Sequence, residues 1–176
     1  MRFVCKLCIL ASATMWSTVP SGFAQSANSA DKTFVKEAAE GSNAEIELGK
    51  MAQQKGSADD VRQFGQRMVT DHTQLNQQMQ PVAQALGVTP PAGTSASDKA
   101  EAAKLKALSG DSFDKAYIQA MVKDHQKDLN KFQTEAKTAS DPELRQAAAQ
   151  GADVIRQHLE MAERLAKMHN IEVSSR

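Results

Sequence analysis

Met68-Val69-Thr70-Asp71-His72 and Met121-Val122-Lys123-Asp124-His125 are two copies of one pattern. Each lies near the middle of a long stretch whose apolar residues recur every three or four positions. Around the first copy, Val61, Phe64, Met68, His72, Leu75, Met79, Val82 and Leu86 share one face, and the period runs on through Pro81. Around the second, Tyr117/Ile118, Met121, His125, Leu129, Phe132 and Ala136 do the same. This spacing predicts two amphipathic helices, one from Ser57 to about Leu86 and one from Asp111 or Ser112 to about Thr138, each with a histidine on its apolar stripe.

Two further segments flank them. Phe34, Ala38, Gly41, Ala44/Glu45, Leu48 and Ala52 mark a helix over Lys32 to Gln54, with Asp31 as its cap. Leu144, Ala147/Ala148, Gly151, Val154/Ile155, His158, Met161/Ala162, Leu165 and Met168 mark another, started by Asp141 with Pro142 in its first turn and fading at His169-Asn170. Lys55-Gly56-Ser57 is a tight break, and Ser57-Ala58-Asp59-Asp60 resembles a capping box. Gly87 to Gly110 is the one long connection, turn-rich at first and then Ala/Lys/Glu-rich from Ser97 to Leu108, where a short surface helix is expected. Half helical and half extended, such a connection reaches about 55 Å, enough to run the length of a 28-residue helix of about 42 Å.

These elements predict an all-α fold, a four-helix bundle of ferritin-like connectivity with a long crossover between the second and third long helices. An up-down-up-down bundle with residues 87–110 bulging at one end is the alternative. Composition agrees with a bundle: 41% of residues are hydrophobic but only 5% aromatic, so the core must be built from Ala, Leu, Val and Met.

The first 24 residues read as a secretory signal. Arg2 and Lys6 precede a weakly apolar run from Leu7 to Val19, and Gly22-Phe23-Ala24 offers small residues where signal peptidase reads, predicting cleavage after Ala24. The run is shorter than the ~20 residues a bilayer span needs, so no transmembrane anchor is expected after cleavage. The organisation predicted is a signal peptide (1–24), a disordered start (25–31), the bundle (32–170) and a tail (171–176), in a periplasmic or secreted protein. Cleavage removes Cys5 and Cys8, leaving no disulfide to support the core. It also removes Arg2 and Lys6, so that of 21 Lys and Arg 19 remain against 21 Asp and Glu. No basic stripe survives, and nucleic acid is not an expected partner.

Each long segment then contributes one ionisable side chain to its inner stripe: Glu45, His72, His125 and His158. All four lie about 13 to 16 residues from their helix starts, and mid-points of equal helices share a level in a bundle whichever way each helix runs. Four polar groups buried together are costly unless they are paired or bind something. Imidazole and carboxylate at one level suit zinc, copper or iron, and imidazoles more than about 7 Å apart cannot share one ion. Asp71 and Asp124 point about 100° away from their neighbouring histidines, so they reach a histidine on another helix or serve as ligands themselves. Met68, Met121 and Met161 fall on one side of the histidine layer in a crossover bundle; gap-filling core is the simpler reading, a soft ligand layer the other. Core histidines satisfied by Asp71, Asp124 and Glu45 are the simpler reading of the histidines too. Tyr117 reads as amphipathic core and His169 as solvated. There is no glycine-rich phosphate loop, no cysteine nucleophile in the mature chain and no activated serine, so no catalytic residue is assigned; any chemistry would be that of a metal-dependent oxidoreductase.

The stretches Phe34 to Ala39, Ala44-Glu45-Ile46-Glu47-Leu48-Gly49-Lys50-Met51-Ala52, Met68-Val69-x-Asp71-His72, Phe113-Asp114-x-x-Tyr117, Val122-x-Asp124-His125 and Gln157-His158-Leu159-x-x-Ala162 resemble a bacterial exported family, domain-of-unknown-function family 4142. The resemblance covers nearly all of the mature chain and implies a ferritin-like fold and an envelope location, with no established activity. The di-iron members of the wider ferritin-like group carry Glu-x-x-His on their second and fourth helices. Here Val69 and Ile155 stand three residues before His72 and His158, which argues against a carboxylate-bridged di-iron centre and for a histidine-rich mononuclear one. The expected function is therefore metal handling or envelope stress protection through His72, His125, His158 and Glu45, with Asp71 and Asp124 in support. The competing expectation is a non-enzymatic envelope structural or interaction module in which the layer only fixes helix register.

Overall fold

A computed structural model describes residues 29–173, so the expected signal sequence lies outside the described residues. Five helices follow in order: α1 (Ser29–Lys55), α2 (Asp59–Ala85), α3 (Ala96–Lys106), α4 (Gly110–Thr138) and α5 (Pro142–Met168). α1 and α2 form one antiparallel hairpin and α4 and α5 another. α2 packs on α5, α1 packs on α4, and α3 lies across α1 and α4.

Two buried carboxylates fix how the hairpins meet. Asp114, in the first turns of α4, accepts the backbone N–H groups of Ser57 and Ala58 in the α1–α2 turn, each at 2.9 Å. Asp31, in the first turns of α1, accepts those of Ser140 and Asp141 in the α4–α5 turn, each at 3.1 Å. The start of α4 thus sits at the α1–α2 turn and the start of α1 at the α4–α5 turn. It follows that α2 and α4 run parallel and that residues 86–109 must travel the length of the bundle, which is the ferritin-like crossover. Asn43 holds that crossover midway through its amide to the Pro91 and Gly93 carbonyls, and Lys55 holds its end at the Lys106 carbonyl.

This geometry corrects two local expectations. The N-cap of α2 is Ala58, which offers no side-chain cap; Asp60 accepts the Val61 N–H at 2.8 Å, and the N–H groups of Ser57 and Ala58 go to Asp114 on the other hairpin. Asp31 lies inside α1 rather than capping it, because its carboxylate is used across the bundle. Asp141 does cap α5, accepting from the Leu144 N–H at 2.8 Å.

The two hairpins repeat each other at an offset of 83 residues, as Asp31/Asp114 and Arg62/Arg145 show. Arg62 donates to the Gly56 and Ser57 carbonyls, and Arg145 to the equivalent Ala139 and Ser140 carbonyls. Both hairpins end alike: Val88 N–H bonds the Ala83 carbonyl and Ile171 N–H the Ala166 carbonyl, in each case across a left-handed residue, Gly87 (φ 64°) or Asn170 (φ 53°). Val88 and Ile171 are both buried, and Val173 still packs against the core. The signal was present in the sequence as Asp-Lys-x-aromatic at 31 and 114 and Ser-x-x-acid-aliphatic-Arg-Gln at 57 and 140.

Packing within the hairpins is complementary rather than identical. On α1, Gly49 lets the backbone approach α2: a Cβ there would lie 2.7 Å from the Gly65 carbonyl oxygen and 3.2 Å from the Met68 Cβ. At the equivalent pair on the second hairpin the large residue is Phe132 on α4 and the small one Gly151 on α5, where a Cβ would lie 2.6 Å from the Phe132 ring. Phe132 in turn meets Phe34 edge-on at 4.9 Å between ring centroids, joining the hairpins.

Two outcomes test this account by chemical denaturation. Asp31→Asn and Asp114→Asn should each cost about 1–3 kcal/mol, since each leaves two turn N–H groups short of a charged acceptor. Their effects should add, because they act at opposite ends of the bundle. Gly151→Ala should cost about 1–3 kcal/mol by overpacking, and Phe132→Leu in the same chain should recover part of that loss.

Candidate metal centre

α2, α4 and α5 each carry one histidine to the middle of the bundle: His72, His125 and His158. All three are buried, at 5%, 2% and 0% exposure. Their ring centroids lie 5.2 Å (72–158), 5.5 Å (125–158) and 5.8 Å (72–125) apart, inside the limit for sharing one ion. One ring nitrogen from each comes within 4.8 Å of the other two. A point central to such a triangle is at most about 2.8 Å from each nitrogen, so a shift of at most about 0.8 Å per ring reaches the 2.0–2.1 Å of a zinc–imidazole bond.

Hydrogen bonds decide which nitrogen of each ring is free. His125 Nδ1 lies 2.9 Å from the Met121 carbonyl oxygen, which only accepts, so Nδ1 carries the proton and Nε2 a lone pair. His158 Nε2 lies 2.8 Å from Asp71 Oδ2, and Asp71 also accepts from Arg67 Nε at 2.5 Å; Nε2–H donates to the carboxylate, which leaves Nδ1 bare. Ser42 donates to the His72 carbonyl at 3.1 Å, and its oxygen faces His72 Nδ1 at 3.4 Å, leaving Nε2 bare. The three nitrogens left over, His72 Nε2, His125 Nε2 and His158 Nδ1, are buried and have no hydrogen-bond partner.

Electrostatics keep them neutral. Burial lowers His72 well below the usual imidazole range, and the neighbouring His125 and His158 lower it further. Burial, with His158 beside it, takes His125 down to about 3. Burial lowers His158 too, against the opposing pull of Asp71. Three neutral imidazoles, each with a free lone pair, are what a borderline or soft cation requires.

The remaining sequence candidates take other places. Asp71 reaches a histidine on a different helix and orients it. Glu45 is not brought into the cluster: its Oε1 is 4.0 Å from His125 Nδ1, the nitrogen committed to Met121, so it stands behind that ring. Asp124 is turned toward α3, where it lines a cavity with Glu45, Asp98, Glu101 and Asp128. Ser42 was not among the sequence candidates; it sits where the 83-residue repeat places the counterpart of His125, which is the only sequence signal that marks it. Met68 and Met121 are fully buried core. His169 is held by Asp60 at 3.0 Å across the α2–α5 end rather than being free in solvent. Tyr117 stacks on Phe113 at 5.8 Å, with its hydroxyl buried and unpartnered.

Comparison with known proteins places the fold. A fragment of a DUF305 protein from Deinococcus radiodurans superposes with a TM-score of 0.70 at 17% identity, covering 80% of this chain and 98% of that one. A DUF305 protein from Streptomyces coelicolor, described as secreted, does so with a TM-score of 0.70 at 14% identity, covering 84% and 98%. At such identities the likeness is one of fold. None of the curated proteins matches. Among the described residues no helix is long and apolar enough to cross a membrane. A family model of a domain of unknown function matches residues 18–165, and the chain, an all-helical bundle with three buried histidines at its centre, belongs to that family, DUF4142.

Proposed function

We propose that this chain is an exported metal-handling protein that holds one transition-metal ion, zinc, copper or iron, between His72, His125 and His158, and that it serves metal homeostasis or protection of the envelope. One observation carries the reading: three buried histidines bring one ring nitrogen each within 4.8 Å of the others, and each ring has one buried nitrogen without a hydrogen-bond partner. Leaving a buried acceptor unsatisfied costs about 1–3 kcal/mol each, and a cation removes all three penalties at once. The partners behind the rings support it, because Asp71, the Met121 carbonyl and Ser42 hold each ring in the tautomer that presents a lone pair. An ion held there has its charge met by neutral donors and by Asp71 one bond further out. A layer that only fixed helix register would leave the three lone pairs unexplained.

The mature chain (residues 25–176), dialysed against Zn2+, Cu+ or Fe2+, should retain one equivalent of at least one of these ions, and His72→Ala/His125→Ala/His158→Ala should retain none. At a thousandfold excess of free ion over Kd the bound form should gain about 4 kcal/mol of stability. A wild-type protein that keeps no stoichiometric ion would falsify the proposal. For the apo protein, replacing the three histidines by Leu should raise the melting temperature, since buried unpaired acceptors disappear.

The apo protein should also be acid-labile through these rings. An imidazole lowered on folding contributes stability that is intact above its unfolded value of 6.5 and is lost as pH falls toward the folded one, about 3 for His125. Glu45, raised by burial, and Asp128, raised to about 6, act in the opposite sense, losing stability as pH rises. The difference between His125→Leu and wild type isolates the imidazole: the variant's advantage should grow steadily from pH 7 to pH 4 in urea titrations.

A further inference from the structure

The cavity between α1, α3 and α4 is the second feature of this fold that a packed bundle does not require. It holds about 310 Å³ and is lined by seven carboxylates against two lysines, Lys127 and Lys131. Lys131 is already engaged by Glu37. The crossover creates the cavity, since α3 supplies Asp98 and Glu101 opposite Asp124 and Asp128 of α4. Glu45 lines it too, only 4% exposed, and its buried Oε2 has no hydrogen-bond partner. Its other oxygen is 4.0 Å from the back of the His125 ring. The carboxyls act on one another: Asp124, Asp128 and Asp98 each oppose ionisation of Glu45, after burial itself. No three carboxylates of this group bring their oxygens within 4.8 Å of one another, as the three histidines do, so the cavity is not a preformed chelate.

From this juxtaposition we propose that the α1–α3–α4 cavity is the access route by which a hydrated divalent cation reaches the histidine cluster, gathered by Asp98, Asp124 and Asp128 and handed inward at Glu45. The proposal rests on the metal reading of the histidines and adds the path and the charge class of the ion. A cleft lined by one sign of charge, walled by low-dielectric protein, raises the local concentration of counter-ions and speeds capture by 10- to 1000-fold. Glu45 has the place such a route needs, lining the cavity and lying 4.0 Å from a ligand ring. It explains why a carboxylate is buried at this level while standing behind His125 rather than among the three bare nitrogens.

The test is Zn2+ capture by the mature apo protein, followed by stopped flow with a fluorescent zinc indicator and paired with equilibrium dialysis. Asp98→Asn/Asp124→Asn/Asp128→Asn should lower the association rate at low ionic strength about 10-fold or more. It should flatten the salt dependence and still bind one ion at equilibrium. Glu45→Gln should slow capture as well. Asp153→Asn/Glu160→Gln/Glu163→Gln, which removes the same charge from the exposed face of α5, should leave the rate within about twofold. Capture rates unchanged in the cavity variant, or reduced equally in the α5 variant, overturn the route while leaving the histidine site standing. A wild type that binds no Zn2+ at equilibrium overturns both.

Discussion

A carboxylate on the first turns of one hairpin accepts two backbone N–H groups in the turn of the other, and the arrangement is reciprocal: Asp114 on residues 57 and 58, Asp31 on residues 140 and 141. Tight helix–helix turns leave such N–H groups without intrahelical partners, and burying them unmet costs about 1–3 kcal/mol each. Each hairpin's own arginine bonds the turn carbonyls, but the turn N–H groups are met by a carboxylate of the other hairpin. The two interlock antiparallel, α2 runs parallel to α4, and the chain between them has no course except along the bundle. The crossover, the cavity it encloses against α3, and the level at which the histidines meet all follow from that constraint.

On this near-symmetrical frame the site itself is asymmetric. The 83-residue repeat equates His125 with Ser42, His72 with Ile155 and His158 with Leu75, so no histidine is the counterpart of another. One hairpin supplies one imidazole and the other supplies two, and the serine at the vacant equivalent position supports the single one. The visible repetition of Met-Val-x-Asp-His is offset by 53 residues, from His72 to His125, and therefore crosses the structural repeat instead of expressing it. Its two aspartates accordingly serve different ends. Asp71 faces α5 and holds His158, whereas Asp124 faces the crossover and joins the acidic cavity.

Buried polar groups without partners are few in folded proteins because each costs stability. Here three of them are nitrogens of the clustered imidazoles and a fourth is an oxygen of Glu45, which lines the acidic cavity. Their clustering at one level concentrates the expense where a cation would remove it. The surrounding core is mostly small and aliphatic, with Gly49, Gly65 and Gly151 allowing close helix approach, so the layer sits in a rigid setting rather than a yielding one.

Helical periodicity set the four long helices from sequence alone, turn residues the two tight turns and an Ala/Lys/Glu-rich stretch the short α3, because apolar spacing, composition and turn residues are local properties. The inward stripe likewise placed His72, His125, His158 and Glu45 near one level, since level depends only on distance along each helix. What local pattern does not carry is rotation and reach. Whether Glu45 meets a bare nitrogen or the back of a ring, and which helix Asp71 or Asp124 faces, depend on angles between helices. Those angles are set by the reciprocal aspartate bonds and by glycine contacts such as Gly49 with Gly65. The same limit explains the misplaced caps: Asp31 and Ser57-Ala58-Asp59-Asp60 look like local helix starts, and only in the folded bundle do the N–H groups find a carboxylate more than fifty residues away.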